Sequence, residues 1–243
     1  MVKNAGLPKL PRVVNFNFNK HLPQSFADKT SDLFFVLSTA YLAARKEREL
    51  TKLMMEKALF KASQILVDKN LRFFNTFFFI DKYGPHNNIF YRYLEELENA
   101  ELINVEGRAI NLTAKGLRVI TDLLEEASQD VNVQKVLLAL QQKIEEYSNN
   151  KSLAVEETHS QRVVDTTDNN KVKTINELIG EVKPGQEFKK ASQFKYIEFD
   201  AGKRARKIQL PSKLIYQLES TLAKIEPSDF EQSENISHLF MPG

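Results

Sequence analysis

The chain contains no cysteine. That excludes a disulfide framework, a thiolate metal site and a cysteine nucleophile. Histidine is scarce as well. The four residues His21, His86, His159 and His238 are too scattered for a multi-histidine metal site. No apolar run approaches the ~20 residues that span a bilayer, and the opening MVKNAGLPKLPR lacks the apolar centre of a secretory signal. A Walker-type glycine-rich loop, GxSxG and HExxH are all missing. Together these absences predict a soluble, cytoplasmic protein that is not an enzyme, needs no cofactor or metal and avoids membranes. An excess of one charge is lacking too, because 34 Lys and Arg against 32 Asp and Glu leave a formal net charge of +2. Any case for nucleic acid must therefore rest on local patches.

What is present suffices for a folded protein. The 243 residues are 42% hydrophobic, enough for one large domain or two small ones. Residues 1–28 read as an N-terminal arm, broken by Pro8, Pro11 and Pro23, in which 12–19 alternates like an edge strand. From Thr30 the spacing becomes helical, with Ser31 or Asp32 as cap and Leu33, Phe34, Val36, Leu37, Ala40, Tyr41 and Ala44 inward. Thr51 opens a second helix to about residue 68. Five of the seven residues 73–79 are Phe, a density suited to a buried strand or short helix. Residues 131–147 form another helix, striped by Val133, Val136, Leu137, Leu140 and Ile144. That stripe packs either on a second subunit or back onto the first helix. Residues 148–173 are polar and aperiodic and read as a flexible linker. The remainder, 174–243, reads as a small α+β module: strands at 194–200 and 207–210 joined by AGKRAR, a helix from Pro211-Ser212, and a tail.

Residues 82–126 carry the most specific pattern. A loop broken by Gly84-Pro85 precedes an amphipathic helix at 87–100, a strand at 102–105, a turn at Glu106-Gly107, a second strand at 108–112 and a helix capped by Thr113. This is the order of a winged helix-turn-helix. The expected fold is mainly α, a winged helix-turn-helix with long flanking helices over 29–147, plus the C-terminal module. Winged helices mostly bind nucleic acid or protein.

If helix 87–100 enters a major groove, its first turn reads the bases. Asn87 or Asn88 would pair with adenine, Arg92 with guanine or phosphate, and His86 with phosphate, with Tyr91 also outward. Arg108 beyond the turn would reach a minor groove, and Lys115 a phosphate. The hairpin Lys203-Arg204-Ala205-Arg206-Lys207 holds four cations in five residues, a phosphate-contacting loop or a solvated turn. Against DNA, Glu95, Glu96, Glu98 and Glu101 make the far half of the helix acidic.

Leu50-Thr51-Lys52-Leu53 followed by Lys57-Ala58-Leu59-Phe60 resembles the opening of the SocA-like antitoxin (Panacea) domain. Phe79-Ile80-Asp81-Lys82-Tyr83-Gly84-Pro85 is similar to that family's aromatic and Tyr-Gly-Pro signature. The resemblance spans 50–103 and implies an antitoxin or adaptor that neutralises or delivers a protein partner, such as a toxin or a protease system. It carries no catalytic residues. The run LTAKGLRVITDLLEE separately resembles the end of PadR- and MarR-like regulators, where it closes the wing. The leading expectation is a homodimeric regulator of transcription or plasmid and phage maintenance that binds double-stranded DNA. The alternative is a protein-binding antitoxin or adaptor. Tyr83 is expected to anchor its loop in the core.

Overall fold

The computed structural model describes residues 10–17, 25–182, 194–199 and 206–223. In chain order they form β1 (Arg12–Asn15), α1 (Phe26–Arg45), α2 (Lys52–Asp68), β2 (Leu71–Arg72), β3 (Phe78–Asp81), β4 (Gly84–His86), α3 (Asn88–Asn99), β5 (Ile103–Glu106) and β6 (Ala109–Leu112). There follow α4 (Ala114–Ala127), α5 (Val131–Asn149), α6 (Leu153–His159), β7 (Arg162–Asp165), β8 (Lys171–Thr174), α7 (Ile175–Glu181), β9 (Lys195–Glu198), β10 (Arg206–Lys207) and α8 (Ser212–Leu222).

Short polar side chains start the longer helices by accepting otherwise orphaned backbone N–H groups. Thr51 accepts from Met54, Thr113 from Gly116 and Asp130 from Asn132. The cap of α1 is Ser25 rather than Ser31 or Asp32. Thr30 and Ser31 lie inside the helix, where their hydroxyls bond back to the carbonyls of Phe26 and Ala27. The run 30–40 is buried on every side, so α1 is the central helix. Helix α5 lies along α2 and α1 and buries Val133, Val136, Leu140 and Ile144 within the chain. No helix among the described residues is long and apolar enough to cross a membrane.

The strands overturn the expectation of a mainly α winged helix-turn-helix. Six of them form one mixed sheet, in the order β4-β3-β9-β1-β7-β8, curled into a half-barrel. β1 and β7 are parallel and the other neighbours antiparallel. The local order helix α3, hairpin β5–β6, helix α4 does form, and β6 also bonds to the segment before α2. There Ile110 N–H donates to Leu50 O at 2.8 Å and Lys52 N–H to Arg108 O at 2.9 Å. Between α2 and α3, however, no tight turn exists. Residues 69–87 carry three strands, two of which belong to the large sheet.

The physical reason is that strands of two to four residues are too short to show a period and gain their stability from distant partners. β1 thus sits inside the sheet between β9 and β7, not at its edge. The stretch 148–173, expected as a linker, carries α6, β7 and the start of β8. The two expected C-terminal strands do not pair with each other: β9 joins β1 and β3, while β10 runs parallel to β2.

Asp165 ties one corner of the sheet. Its side chain is fully buried, and the Lys173 and Lys195 ammonium groups each lie 3.1 Å from Oδ2. Thr167 donates its N–H and hydroxyl to Oδ1 at 3.0 and 2.6 Å. Burial alone would raise this carboxyl. The bonds from Thr167, Lys195 and Lys173 outweigh it and lower the group to about 2. A depressed carboxylate stabilises the fold above its unfolded pKa of about 3.9 and loses that contribution as pH falls towards 2. Asp165→Asn should therefore lower Tm at neutral pH, with the gap to the unsubstituted protein closing between about pH 4 and 2. Thermal melts across that range provide the check.

Candidate recognition surface

Two adjacent charges, Glu56 and Lys57, interrupt the inward face of α2, with side chains only 3% and 1% exposed. Buried charge is costly unless it is paired and hydrogen-bonded. Both groups find partners in the segment 83–87. The Lys57 ammonium donates to Pro85 O at 2.5 Å and lies 3.6 Å from Glu56 Oε2. Burial pushes it below the usual lysine range, while Glu56 and Asp81 pull it part of the way back. Glu56 Oε1 accepts the Asn87 N–H at 2.9 Å and lies 3.0 Å from His86 Nδ1.

Asn87 completes the lock. Its Oδ1 accepts from the N–H groups of Ile89 and Phe90 at 2.9 and 3.1 Å, which caps α3, and its amide donates to the Thr76 hydroxyl. Gly84 makes the bend possible with φ at +94°, a region that disfavours a Cβ. A Cβ there would also stand 3.0 Å from His159 Nε2, which reaches over from α6 towards Tyr83 O. The hairpin β3–β4 thus projects its tip, Lys82-Tyr83, with the Lys82 ammonium 4.9 Å from the Tyr83 ring centre. Tyr83 is 66% exposed, so it does not anchor the loop in the core. Lys57 and Glu56 hold the loop through its backbone instead.

The His86 ring lies between Phe79 and Tyr91, at centroid distances of 5.3 and 5.2 Å. Tyr91 is half-buried, and burial, with Glu56 and Asp81 nearby, pushes its hydroxyl up to about 12. It stays a neutral donor at physiological pH.

The residues expected to meet DNA fall into distinct roles. Asn87 is buried and spent on the cap, while His86 faces Glu56. Asn88 and Arg92 are exposed on the outer face of α3, and Arg108 is exposed just past Gly107. Lys115 closes the other end of α3: its ammonium donates to Ala100 O at 2.8 Å and lies 3.9 Å from Glu101. A cation there complements the carbonyl end of the helix. Arg206 is exposed on β10, and Lys207 forms an ion pair with Asp28. Lys203 and Arg204 lie outside the described residues. Sequence reasoning misses Glu56, Lys57, Thr76 and His159. The available signal was a pair of charges set in the apolar run between Met54-Met55 and Ala58-Leu59-Phe60.

Asn87→Ala removes the cap and leaves the Thr76 hydroxyl with one partner fewer, while the backbone N–H that Glu56 accepts is kept. It should cost about 1–2 kcal/mol, measured by urea unfolding. Among the described residues, no group of three or more His, Asp or Glu could hold a metal ion. No protein-family model matches the chain, and a search of curated proteins finds none that matches it.

Proposed function

We propose that the chain is a protein-binding adaptor or antitoxin whose recognition surface is the β3–β4 tip together with the outer face of α3. The observation that carries this reading is the buried Glu56–Lys57 pair, which fixes the hairpin and the first turn of α3 in one orientation. A surface ordered beforehand loses less entropy on binding. It presents Tyr83, Tyr91 and Arg92, residue types that dominate binding energy at protein interfaces. Its far half exposes Glu95, Glu98 and Glu101, which repel phosphates and suit a partner with basic groups. The resemblance of 50–103 to SocA-like antitoxins supports the same reading.

The test is affinity capture from the native host after nuclease treatment. Tyr83→Ala with Arg92→Ala should weaken a captured protein at least ~30-fold, at about 2 kcal/mol for a hot-spot group. Tm should hardly move, since both side chains are exposed. An unchanged yield from the double variant contradicts the proposal. The exposed Asn88, Arg92 and Arg108 favour a second reading, in which the same face binds DNA as a regulator. A discrete DNA fragment, lost on nuclease treatment and dependent on Arg92, would decide for it.

A further inference from the structure

The pairing of β2 with β10 joins two segments far apart in sequence. It sets Arg72 beside Lys207 and Leu71 beside Arg206. Arg206 N–H donates to Asn70 O at 2.9 Å and Ile208 N–H to Arg72 O at 2.8 Å, which fixes the register. Leu71, Ile208 and Leu210 are buried, so the ribbon is anchored in the core. Lys69, Arg72, Arg206 and Lys207 are exposed.

This arrangement concentrates positive charge. Neighbouring strands lie ~4.8 Å apart, and like charges directly opposite repel. Lys207 is partly relieved by its ion pair with Asp28. Burial alone would raise the Asp28 carboxyl, but hydrogen bonds from Lys207, Ser25 and Gln209 hold it below the usual range. The Arg72 guanidinium lies over the Phe77 ring, 5.6 Å from its centre. Among the described residues, no carboxylate pairs with Lys69, Arg72 or Arg206. In a chain of net charge +2 such a cluster is a local feature, not part of a generally basic surface.

We propose that the β2–β10 ribbon binds the phosphate backbone of a nucleic acid. Arg72 and Lys207 are paired across the ribbon, Arg206 stands next to Lys207, and Lys69 lies just before β2. Several cations over so short a span match a repeating polyanion better than a single small anion. Arginine presents a fork that matches phosphate oxygens. A guanidinium already held over a ring also loses less freedom when it meets one. The site lies on different elements from the protein-binding surface, so either can fail without the other.

The experiment is fluorescence anisotropy of the full chain with a short labelled duplex and with one of its single strands, between about 50 and 200 mM salt. Affinity should fall with salt. Arg72→Gln with Arg206→Gln should make the log–log slope shallower by about 2, and Lys69→Gln alone by about 1. Lys151→Gln serves as control, because that exposed lysine pairs with Glu49; its slope should match the unsubstituted protein. Far-UV circular dichroism confirms folding, and Lys69→Gln, at an exposed helix end, keeps the test open if the double variant does not fold. Absence of binding at the lowest salt, or an unchanged slope in the variants, overturns the proposal. Displacement by polyglutamate as effective as by unlabelled DNA would assign the ribbon to an acidic protein and overturn it too.

Discussion

Lys57→Met is expected to destabilise the protein by about 3–5 kcal/mol, the cost of leaving a buried charge without its partner. Methionine fills most of the space of the lysine stem, so packing changes little. The ammonium, however, is lost from between Pro85 O and Glu56. The Pro85 carbonyl then has one bond fewer, at about 1 kcal/mol, and the Glu56 carboxylate faces a dry interior with only His86 and the Asn87 N–H for company. Adding Glu56→Gln should restore most of the loss. The amide oxygen still accepts from Asn87, and no buried charge remains uncompensated. Urea unfolding of the two single variants and the double variant measures the coupling. If Lys57→Met costs under about 1 kcal/mol, the pair behaves as a surface ion pair and does not lock the hairpin.

Gly116→Ala is expected to cost about 3 kcal/mol, at the upper end for overpacking. Alanine normally favours a helix by about 1 kcal/mol over glycine, so the sign is opposite to propensity. The cause is contact: a Cβ at Gly116 would lie 1.9 Å from the carbonyl oxygen of Leu102, a backbone atom that cannot swing away. Thr113 bonds the same carbonyl at 3.1 Å, through its N–H and through its hydroxyl. The first turn of α4 is thus clamped against the start of β5. Gly180→Ala in α7 is the contrasting case, since a Cβ there meets nothing within 4 Å. That change should stabilise by about 0.5–1 kcal/mol. Thermal melts of both variants give the comparison.

Much of the helical part of the fold was legible because the longer helices write their own period. Even so, α1 is capped by Ser25 rather than Ser31 or Asp32, and α6 lies in the stretch that reads as a linker. Thr51 and Thr113 stand just before apolar runs, and both cap as placed. Phe90, Tyr93, Leu94 and Leu97 bury the inner face of α3 at the spacing the sequence shows. The Glu106-Gly107 turn could be read because Gly107 supplies a φ of +61°. The sheet could not be read. Residues 12–15 pair with 195–198, and 12–13 also with 164–165, and nothing within four residues says which distant segment will be the partner. Polar residues at 148–173 suggested a linker, yet Val163 and Asp165 are buried by tertiary packing.

The site was legible in part. Tyr83-Gly84-Pro85 marked a bend, and the bend exists. Its anchor is the Pro85 carbonyl on Lys57 rather than the tyrosine ring. Asn87 at the start of a helix has two physical roles open to it, base reader or cap, and the cap needs no partner outside the chain. Lys115 follows the same logic at the far end of α3, where the carbonyl of Ala100 takes the charge. In each case a local hydrogen-bonding demand claimed a residue that sequence position alone assigned to a ligand.

The most direct test of the recognition surface is site-specific photo-crosslinking in the native host, with a photoreactive amino acid at position 83 and, as control, at position 216. Tyr83 and Tyr216 are similarly exposed, at 66% and 55%, but lie on different elements. A discrete protein adduct at position 83, resistant to nuclease and absent at position 216, is the predicted result. Equal adducts at both positions, or an adduct at 83 that nuclease removes, would contradict it.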